Sequence, residues 1–557
     1  MPTVSAHVAL TLAQHIDAVF GVMGNGNAYF LDAIETQTSA VFTAVRHEQG
    51  AVVAADAHFR ASGRIAAGTS TYGAGFTNTL TALAEAVQAH VPLVLVVGDE
   101  PTSGPRPWDV DQIALASAVG ARTYTVGHAD AAATTVIAIE HALTYRVPVV
   151  LAIPYDVAAL EAGPVADAPS PRVPAPLAPK GEFAEGMLDE IAAALQTAER
   201  PFLLAGRGAW LAGASTALGE LAEATGALTA SSALGRGVFP DGRYDLGVTG
   251  GFGADGAMEL IRSADVAVVF GASLNQFTMR FGELFAPGTR VFQIDIAPAA
   301  THAHIGGFVR ADARVAAEAL VSRLTAASGP SPSSAGPAAP WRESVDVAAA
   351  RRYDAGDDLA PDGRLDPRSA ARRIAGLLPE DRIVVSDGGH FIGWANMYWP
   401  VAAPDRMMMI GTAFQSIGLG WPSVVGAALA RQESTVVLTS GDGGGLMAIA
   451  DLESAVRAAG GRGIAVIWND AAYGAEVNLY GLKGLAEAPM RIPEVDFAAF
   501  GAAVGAEGVV VRTLADLDRL STWTQEDPAT RRFLLLDLRI SGDVIAPYQQ
   551  EIIRVNS

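Results

Sequence analysis

Short apolar runs alternate with longer amphipathic segments along most of the chain. In the first 160 residues the runs are rich in Val, Ile and Ala, and turns containing Gly or polar residues follow them. Such runs, separated by helix-length segments, are typical of a parallel sheet that helices cover on both faces. The strands predicted in this block are Ala18–Val22, Val41–Val45, Ile65–Thr69, Pro92–Val97 and Pro148–Ile153.

The same alternation returns in two later blocks. Segments poor in large apolar residues, Ala162–Lys180 and Ala326–Pro340, separate the blocks and have the composition of linkers. The strands predicted there are Pro201–Ala205, Val266–Phe270, Arg290–Ile294, Ile383–Ser386, Thr435–Thr439, Gly463–Trp468 and Arg532–Leu536. We therefore predict an α/β fold of three doubly wound parallel-sheet domains, at residues 1–165, 182–325 and 365–545, with 326–364 as a linker.

Composition narrows the class of partner. The 557 residues suit several domains of roughly 150 residues each. The net charge of −21 argues against a nucleic-acid binder, which needs a cationic surface, and against attachment to an anionic membrane through basic residues. The absence of Cys excludes disulfides, thiolate metal sites and a Cys nucleophile. Without a leader-like N-terminus or a long apolar stretch, we expect a cytoplasmic protein that acts on a small molecule.

The strongest candidate chemistry lies in the third block. The strand that begins at Thr435 runs into Gly441-Asp442-Gly443-Gly444, and the next predicted strand leads to Asn469-Asp470. The 27 positions from Asp442 to Asn469 hold one helix and one strand, so both side chains should emerge at one sheet edge, where open α/β sheets bind ligands. Oxygen ligands there suit Mg²⁺ shared with a diphosphate. Alone, each piece would be a turn or a helix cap.

This pair of motifs, within three α/β blocks, resembles the thiamine-diphosphate (ThDP) enzymes of the pyruvate decarboxylase, acetolactate synthase and benzoylformate decarboxylase superfamily. The resemblance covers about residues 5–545. It implies a pyrimidine-binding first domain, a Rossmann-like middle domain and a diphosphate-binding third domain. It also implies ThDP and Mg²⁺ as cofactors, with Asp442, Asn469 and the backbone carbonyl of Ala471 as metal ligands.

The first block supplies the carboxylate that this family requires. Glu48 follows a predicted strand and opens a helix, in a segment Arg46–Ala51 similar to the one that holds the family's cofactor-activating Glu. A carboxyl group at N1′ of the aminopyrimidine favours the imino tautomer, which removes the C2 proton, so the cofactor carries the carbanion chemistry. Taken alone, Glu48 would be an ordinary acidic residue at a helix N-terminus.

The resemblance assigns further residues to the site. Asn25 would orient a substrate carbonyl or carboxylate, Ile417 would support the bent cofactor from below, and Glu476, seven positions after Asn469, would deliver a proton to the substrate in a closed pocket. Each also has a structural explanation, as a turn, a core Ile or a surface Glu. The other expected cofactor contacts are Gly73, Asn78, Gly389, His390, Gly441, Gly443, Gly444 and Tyr473.

The implied activity is that of a C–C bond lyase or carboligase acting on a 2-oxoacid or 2-hydroxyketone through a C2 ylide and an enamine, as in 2-oxoacid decarboxylases or acetolactate synthases. Two departures leave the branch open. Pro107-Trp108-Asp109 replaces the Phe-Gln-Glu of acetolactate synthases, and Gln112–Val119 lacks the adjacent His pair of pyruvate decarboxylases. The donor and acceptor substrates therefore stay open.

Two other classes of function are less favoured by the sequence. An FAD- or NAD-linked oxidoreductase needs a dinucleotide fingerprint, and the glycine turns at Gly206-Arg207-Gly208 and Gly271 do not make one, so FAD or ADP in the middle block is the less favoured alternative. A non-catalytic homologue is disfavoured because Glu48, Asp442 and Asn469 are all present. In the family the first domain of one chain faces the third domain of another, so we expect a homodimer or homotetramer with shared active sites.

Overall fold

The computed structural model describes residues 1–165, 169–327 and 341–556. Residues 328–340 of the predicted second linker therefore lie outside the described residues. The chain forms two compact units. One comprises Met1–Pro174, Asp358–Ile392 and Met408–Val544, and the other comprises Ala175–Asp357, Gly393–Met407 and Ile545–Ser557.

The first sheet has six parallel strands in the order β2-β1-β3-β4-β6-β5. Its central strand β4 is buried along its whole length, as helices on both faces require. The strands are β1 (Ala18–Gly21), β2 (Val41–Ala44), β3 (Ala67–Ser70), β4 (Leu93–Asp99), β5 (Arg122–Thr125) and β6 (Pro148–Pro154). The helices are α1 (Val4–Leu12), α2 (Ala28–Gln37), α3 (Glu48–Ser62), α4 (Ala74–Thr77), α5 (Leu80–Gln88), α6 (Gln112–Ala118) and α7 (Ala131–Tyr145).

The second sheet, in the middle block, has the order β12-β11-β10-β7-β8-β9. Read from β9, this is the 3-2-1-4-5-6 order of dinucleotide-binding folds. The strands are β7 (Pro201–Ala205), β8 (Leu228–Ser231), β9 (Asp245–Val248), β10 (Val266–Phe270), β11 (Arg290–Asp295) and β12 (Ile305–Arg310). The helices are α8 (Glu182–Thr197), α9 (Arg207–Leu211), α10 (Ser215–Thr225), α11 (Asp255–Arg262), α12 (Ala313–Ala327) and α13 (Val347–Ala350).

The third sheet repeats the topology of the first, in the order β14-β13-β15-β16-β18-β17. The strands are β13 (Arg382–Ser386), β14 (Met407–Met409), β15 (Thr435–Gly441), β16 (Gly463–Asn469), β17 (Glu507–Val511) and β18 (Leu534–Arg539). The helices are α14 (Pro367–Leu377), α15 (Ile392–Tyr398), α16 (Gly420–Ala430), α17 (Asp442–Met447), α18 (Leu452–Ala459), α19 (Gly474–Glu476), α20 (Phe497–Ala503), α21 (Asp518–Gln525) and α22 (Pro547–Asn556).

The predicted fold class is confirmed, since three six-stranded parallel sheets carry helices on their flanks. Every predicted strand is found, with boundaries shifted by a few residues, and the structure adds six strands: β5, β8, β9, β12, β14 and β17. None of the described helices has the length and apolar character needed to cross a membrane.

The first and third sheets belong to one compact unit and share a core. Helix α3 of the first block packs on α16 of the third, and a Cβ on Gly426 would lie only 2.0 Å from the carbonyl oxygen of Ala54. Glycine at position 426 is therefore what lets the two helix backbones approach so closely. In each of these sheets the strand order reverses between the first and third strands, at β1/β3 and at β13/β15, which is where doubly wound folds bind ligands.

Candidate active site

Asp442 and Asn469 lie side by side at the carboxyl edge of the third sheet. Strands β15 and β16 pair in parallel with Gly441 opposite Trp468, so the next residues, Asp442 and Asn469, follow at the same edge of the sheet. Both side chains are buried, with 3% and 0% of their surface exposed. The structure thus brings together the two residues that the sequence spacing places at one edge.

The side-chain amide of Asn469 has one group without a partner. Its Nδ2 donates to the carbonyl oxygen of Val495 at 3.0 Å and to Oδ1 of Asp537 at 2.9 Å, which fixes the orientation of the amide. Its Oδ1 is buried and has no hydrogen-bond donor among the described residues. An unpaired buried oxygen is costly, so this atom is suited to a ligand such as a cation.

The carboxyl group of Asp442 is buried beside a second acidic residue. Burial and the neighbouring Asp470 raise its pKa to about 8. It accepts a hydrogen bond from the backbone N–H of Gly443 at 3.0 Å, and the backbone of Ala471 also favours its charged form. A divalent cation between Asp442 and Asn469 would stabilise the charged form of the Asp442 carboxyl.

Ala471 has an unusual backbone conformation beside these groups. Its φ of +57° lies in the left-handed region, which is uncommon for a residue with a side chain and is often found at functional sites. Its carbonyl oxygen accepts a hydrogen bond from the N–H of Ile492 at 2.9 Å, and its second lone pair remains for a metal. Asp470, between Asn469 and Ala471, is half-buried, and loss of solvent around its carboxyl raises its pKa to about 6.

The glycines that follow β15 allow close packing of the surrounding side chains. A Cβ at any of these positions would collide with a neighbour. Packing within the protein is therefore enough to explain why these residues are glycine. The distances would be 2.9 Å from Gly441 to the Phe391 ring, 2.7 Å from Gly443 to the Tyr473 ring and 2.7 Å from Gly444 to Oδ2 of Asp387. Tyr473, a predicted cofactor contact, thus lies directly over the turn that holds Asp442.

Asp387 organises the switch point of the third sheet. It is fully buried directly after β13, and burial raises its pKa while four hydrogen bonds oppose that shift. The donors are the backbone N–H groups of Gly388, Gly418 and Leu419 and the hydroxyl of Ser440, at 2.8 to 3.3 Å. Asp387 was not among the predicted site residues, although its place directly after a predicted buried strand was the available signal.

Gly389 and His390 follow Asp387. Burial lowers the pKa of His390 to about 4, so the ring is neutral near pH 7. Gly389 has a φ of +137°, which only glycine adopts readily. Near the start of α19, a Cβ on Gly474 would lie 2.7 Å from Oδ2 of Asp470 and 3.3 Å from Nδ1 of His390, so these two side chains border the same space.

In the first block the predicted residues flank the β1/β3 switch point. Asn25 donates from Nδ2 to the hydroxyl of Tyr72 at 2.9 Å, and the N–H of Gly26 donates to Oγ1 of Thr71 at 2.9 Å. Gly73 donates its N–H to Oε1 of Gln112 at 2.8 Å. Gln112 is a buried residue that the sequence analysis did not place in the site, and its role becomes visible only from this contact.

Glu48 is the first residue of α3 and is half-buried. Its Oε2 accepts a hydrogen bond from Nδ2 of Asn78 at 3.0 Å, and its Oε1 would lie 3.5 Å from a Cβ on Gly75. The structure therefore brings Glu48 close to the segment that contains Gly75 and Asn78. The hydrogen bond from Asn78 stays within the first block.

Two other predicted residues are more open. Glu476 is exposed at the end of α19, directly before a π-helical turn at Val477–Gly481, so the closed pocket expected around it is not formed within the single chain. Its proton-donor role stays a prediction. Ile417 is partly exposed, and a Cβ on Gly388 would lie 3.0 Å from its Cγ2.

Comparison with known proteins identifies the family of the chain. Family models for the thiamine pyrophosphate (TPP, the same compound as ThDP) enzymes match in three parts. The N-terminal TPP binding domain matches residues 2–115, the central domain matches 188–324 and the C-terminal TPP binding domain matches 387–537.

Individual relatives point to the same group. The chain is 27% identical to a sulfoacetaldehyde acetyltransferase of Roseovarius nubinhibens, over 100% of this chain and 94% of that protein. It is 28% identical to the acetolactate synthase isozyme 3 large subunit of Escherichia coli, over 80% and 78% of the two chains. A ThDP-dependent 4-hydroxybenzoylformate decarboxylase of Rhodococcus jostii has the same fold, with a TM-score of 0.77, 22% identity and coverage of 97% and 99%. The chain belongs to the thiamine pyrophosphate enzyme family.

Proposed function

We propose that the protein is a ThDP- and Mg²⁺-dependent C–C bond lyase or carboligase acting on a 2-oxoacid or 2-hydroxyketone. The observation that carries this proposal is the buried, unpaired Oδ1 of Asn469 beside the buried carboxyl of Asp442. These are hard oxygen donors of the kind that Mg²⁺ shares with phosphate oxygens.

The residues of this chain fit the two ends of the cofactor. Asp442, Asn469 and the carbonyl of Ala471 would hold Mg²⁺, and Glu48 would hold a proton at the aminopyrimidine. When bound, ThDP supplies a nucleophilic carbon that attacks a carbonyl group and accepts the electrons of the broken C–C bond. The contact from Asn78 restricts the Glu48 carboxyl, which keeps it directed at one position.

The proposed reactions begin with a 2-oxoacid donor, as in a 2-oxoacid decarboxylase or an acetolactate synthase. The relatives support this range, since their names describe an acetolactate synthase and an acetyltransferase, and that of the structural neighbour a decarboxylase. The departures at Pro107–Asp109 and Gln112–Val119 leave the choice of acceptor to experiment.

The first experiment identifies the cofactor and the reaction together. Acid extracts of the purified protein are chromatographed for ThDP and FAD, and the ThDP-loaded protein is assayed for CO₂ release from a panel of 2-oxoacids, with and without aldehyde or 2-oxoacid acceptors. We expect ThDP alone, and CO₂ release that requires Mg²⁺. A protein that retains FAD and no ThDP would instead support the oxidoreductase alternative.

We also propose a homodimer, or a homotetramer built from dimers, in which each active site is shared between chains. Glu48 and Asp442 leave different sheets, so a partner chain could complete each site. Mixing inactive Glu48→Gln and Asp442→Ala chains should then restore activity, because a hybrid dimer contains one site with both native halves. If subunit exchange is verified and no activity returns, the shared-site arrangement is wrong.

A further inference from the structure

A buried ionic network joins two helices of the first block. Arg60 on α3 donates from Nε and Nη2 to the carboxylate of Asp56, at 2.5 and 3.1 Å, and Nη2 also approaches Oε1 of Glu85 on α5 at 3.4 Å. The three side chains are at most 5% exposed. Buried ions persist only when their partners are well placed, so these positions are tightly constrained.

The network reaches a loop of the third block in the same compact unit. This loop, residues 410–419, connects β14 to α16 and carries Ile417. It has few hydrogen bonds of its own, such as Ser416 N–H to Gly411 O at 2.9 Å. Gly411, Gln415 and Gly418 all have positive φ, so the backbone of the loop has an unusual conformation. The loop's own sequence does little to enforce this conformation.

External contacts fix the loop at its entry, middle and exit. At the entry, Arg60 Nη1 donates to the carbonyl of Met409 at 3.0 Å. In the middle, the N–H of Phe414 donates to Oε2 of Glu85 at 2.7 Å. At the exit, Asp387 accepts hydrogen bonds from two successive backbone N–H groups. A fourth contact, from the N–H of Ile410 to the carbonyl of Ser386 at 3.2 Å, also lies at the entry. Two of these four anchors therefore belong to the network in the first block.

We propose that Glu85 and Arg60 are positioning residues that hold the loop carrying Ile417. The link to catalysis rests on the proposed function, in which Ile417 supports the cofactor. The anchoring itself does not depend on that function and is tested separately below.

The charge balance of the network supports this role for Glu85. One guanidinium faces two carboxylates, and Asp56 alone already neutralises Arg60 through two hydrogen bonds. Arg60 therefore does not require Glu85 as a counterion. The shortest hydrogen bond of Glu85 is the one that it accepts from the N–H of Phe414. We attribute the burial of a second carboxylate at this position to that bond.

Removal of Glu85 should consequently free the loop without unfolding the protein. In Glu85→Leu the remaining Arg60–Asp56 pair is balanced, and the N–H of Phe414 loses its acceptor. Glu85→Gln is the conservative variant, because its amide oxygen can still accept that hydrogen bond. Arg431→Ala is the matched control, because it removes a different hydrogen bond between the first and third blocks, the one that Arg431, directly after α16, donates to the carbonyl of Ala61 on α3 at 2.9 Å.

Hydrogen exchange followed by mass spectrometry tests the anchoring on the full-length protein without added cofactor. We expect amides of residues 411–418 to exchange about tenfold faster in Glu85→Leu, the loss expected for a hydrogen bond to a charged group, and near the wild-type rate in Glu85→Gln and Arg431→Ala. Unchanged loop exchange in folded Glu85→Leu would overturn the proposal. If Glu85→Leu does not fold, Phe414→Pro removes the same hydrogen bond from the donor side and should give the same increase.

Calorimetric titration with ThDP and Mg²⁺ then tests the link to the cofactor. We expect about tenfold weaker ThDP binding in Glu85→Leu than in Arg431→Ala, with recovery in Glu85→Gln. Faster loop exchange with unchanged ThDP affinity would overturn the cofactor link. Failure of the wild-type protein to bind ThDP would overturn the proposed function, whereas the exchange result would still decide whether Glu85 anchors the loop.

Discussion

The switch points of the second and third sheets lie at equivalent places in two doubly wound folds, yet they are built differently. In the middle block, the turns after β7 and β10 contact each other directly. The N–H of Gly208 donates to the carbonyl of Gly271 at 2.9 Å, and a Cβ on Gly206 would lie 2.3 Å from that carbonyl oxygen. These glycines are thus explained by backbone packing.

At the third sheet the corresponding turns carry acidic and amide side chains. Asp387 follows β13, and Asp442 follows β15 beside Asn469, whose Oδ1 is buried and unpaired. The strand order of the middle block is the one associated with dinucleotides, but the neighbouring carboxyl of Asp442 and unpaired Oδ1 of Asn469 lie in the other block. The comparison teaches that function follows from the groups at the edge of a sheet and not from its topology.

The largest expected effect is the loss of cofactor binding in Asp442→Ala. Without its carboxylate the ion keeps too few oxygen ligands to hold the diphosphate. We expect ThDP affinity at fixed Mg²⁺ to fall by more than the ~10–100-fold typical of a group behind the ligands. Calorimetry measures it, with Asp470→Asn as the control that retains binding. Unchanged affinity in Asp442→Ala would rule out the metal assignment.

Glu48→Gln should separate binding from chemistry. The amide cannot exchange a proton at N1′, so we expect nearly normal ThDP affinity and a kcat lower by about 100- to 10,000-fold. The rate of hydrogen–deuterium exchange at C2 of the bound cofactor reports the defect directly. A wild-type exchange rate in this variant would mean that another group activates the cofactor.

A matched pair of alanine substitutions sharpens the comparison between the two sheets. Gly206→Ala forces a Cβ against the Gly271 carbonyl, so we expect a loss of about 3 kcal/mol in unfolding free energy with unchanged ThDP affinity of the folded protein. Gly444→Ala pushes on Asp387 and should weaken ThDP binding as well. Denaturant melts and calorimetry on both variants decide this. Equal effects on ThDP affinity would contradict the difference between the blocks.

A smaller effect concerns a carboxyl of the middle block. Burial raises the pKa of Asp245 to about 6, above about 3.9 in the unfolded chain, so the folded state binds the proton more tightly. Stability therefore falls as the pH rises from about 4 to about 6, and Asp245→Asn removes this cost. Because the residue is partly exposed, we expect a gain of about 2 kcal/mol at pH 7 and none at pH 4. Thermal melts should show the same gain with and without Mg²⁺.

The sequence predicted the central strands well because they are continuous apolar runs. Pro201–Ala205 and Val266–Phe270 were predicted with their observed boundaries. Most of the missed strands lie at sheet edges, where one side faces solvent and polar residues interrupt the pattern, as in Arg122–Thr125. β12 contains two glycines and β14 only three residues, so neither gave a clear signal.

The sequence also placed Asp442 and Asn469 together, because one helix and one strand separate them. Contacts between segments that are distant along the chain could not be predicted from the sequence. The hydrogen bond from Asn469 to Asp537 spans 68 positions and that from Phe414 to Glu85 spans 329, and no local pattern encodes either. The exposure of Glu476 could not be read from its spacing, since spacing gives no information about what covers a residue.

The most direct test of the metal site is anomalous X-ray diffraction from crystals grown with ThDP and Mn²⁺, which replaces Mg²⁺ and is visible at its absorption edge. The account predicts one strong peak within about 2.2 Å of a carboxylate oxygen of Asp442 and of Oδ1 of Asn469, with the carbonyl of Ala471 as a third ligand. Bound ThDP with no peak at this edge, or a peak away from both side chains, would contradict it.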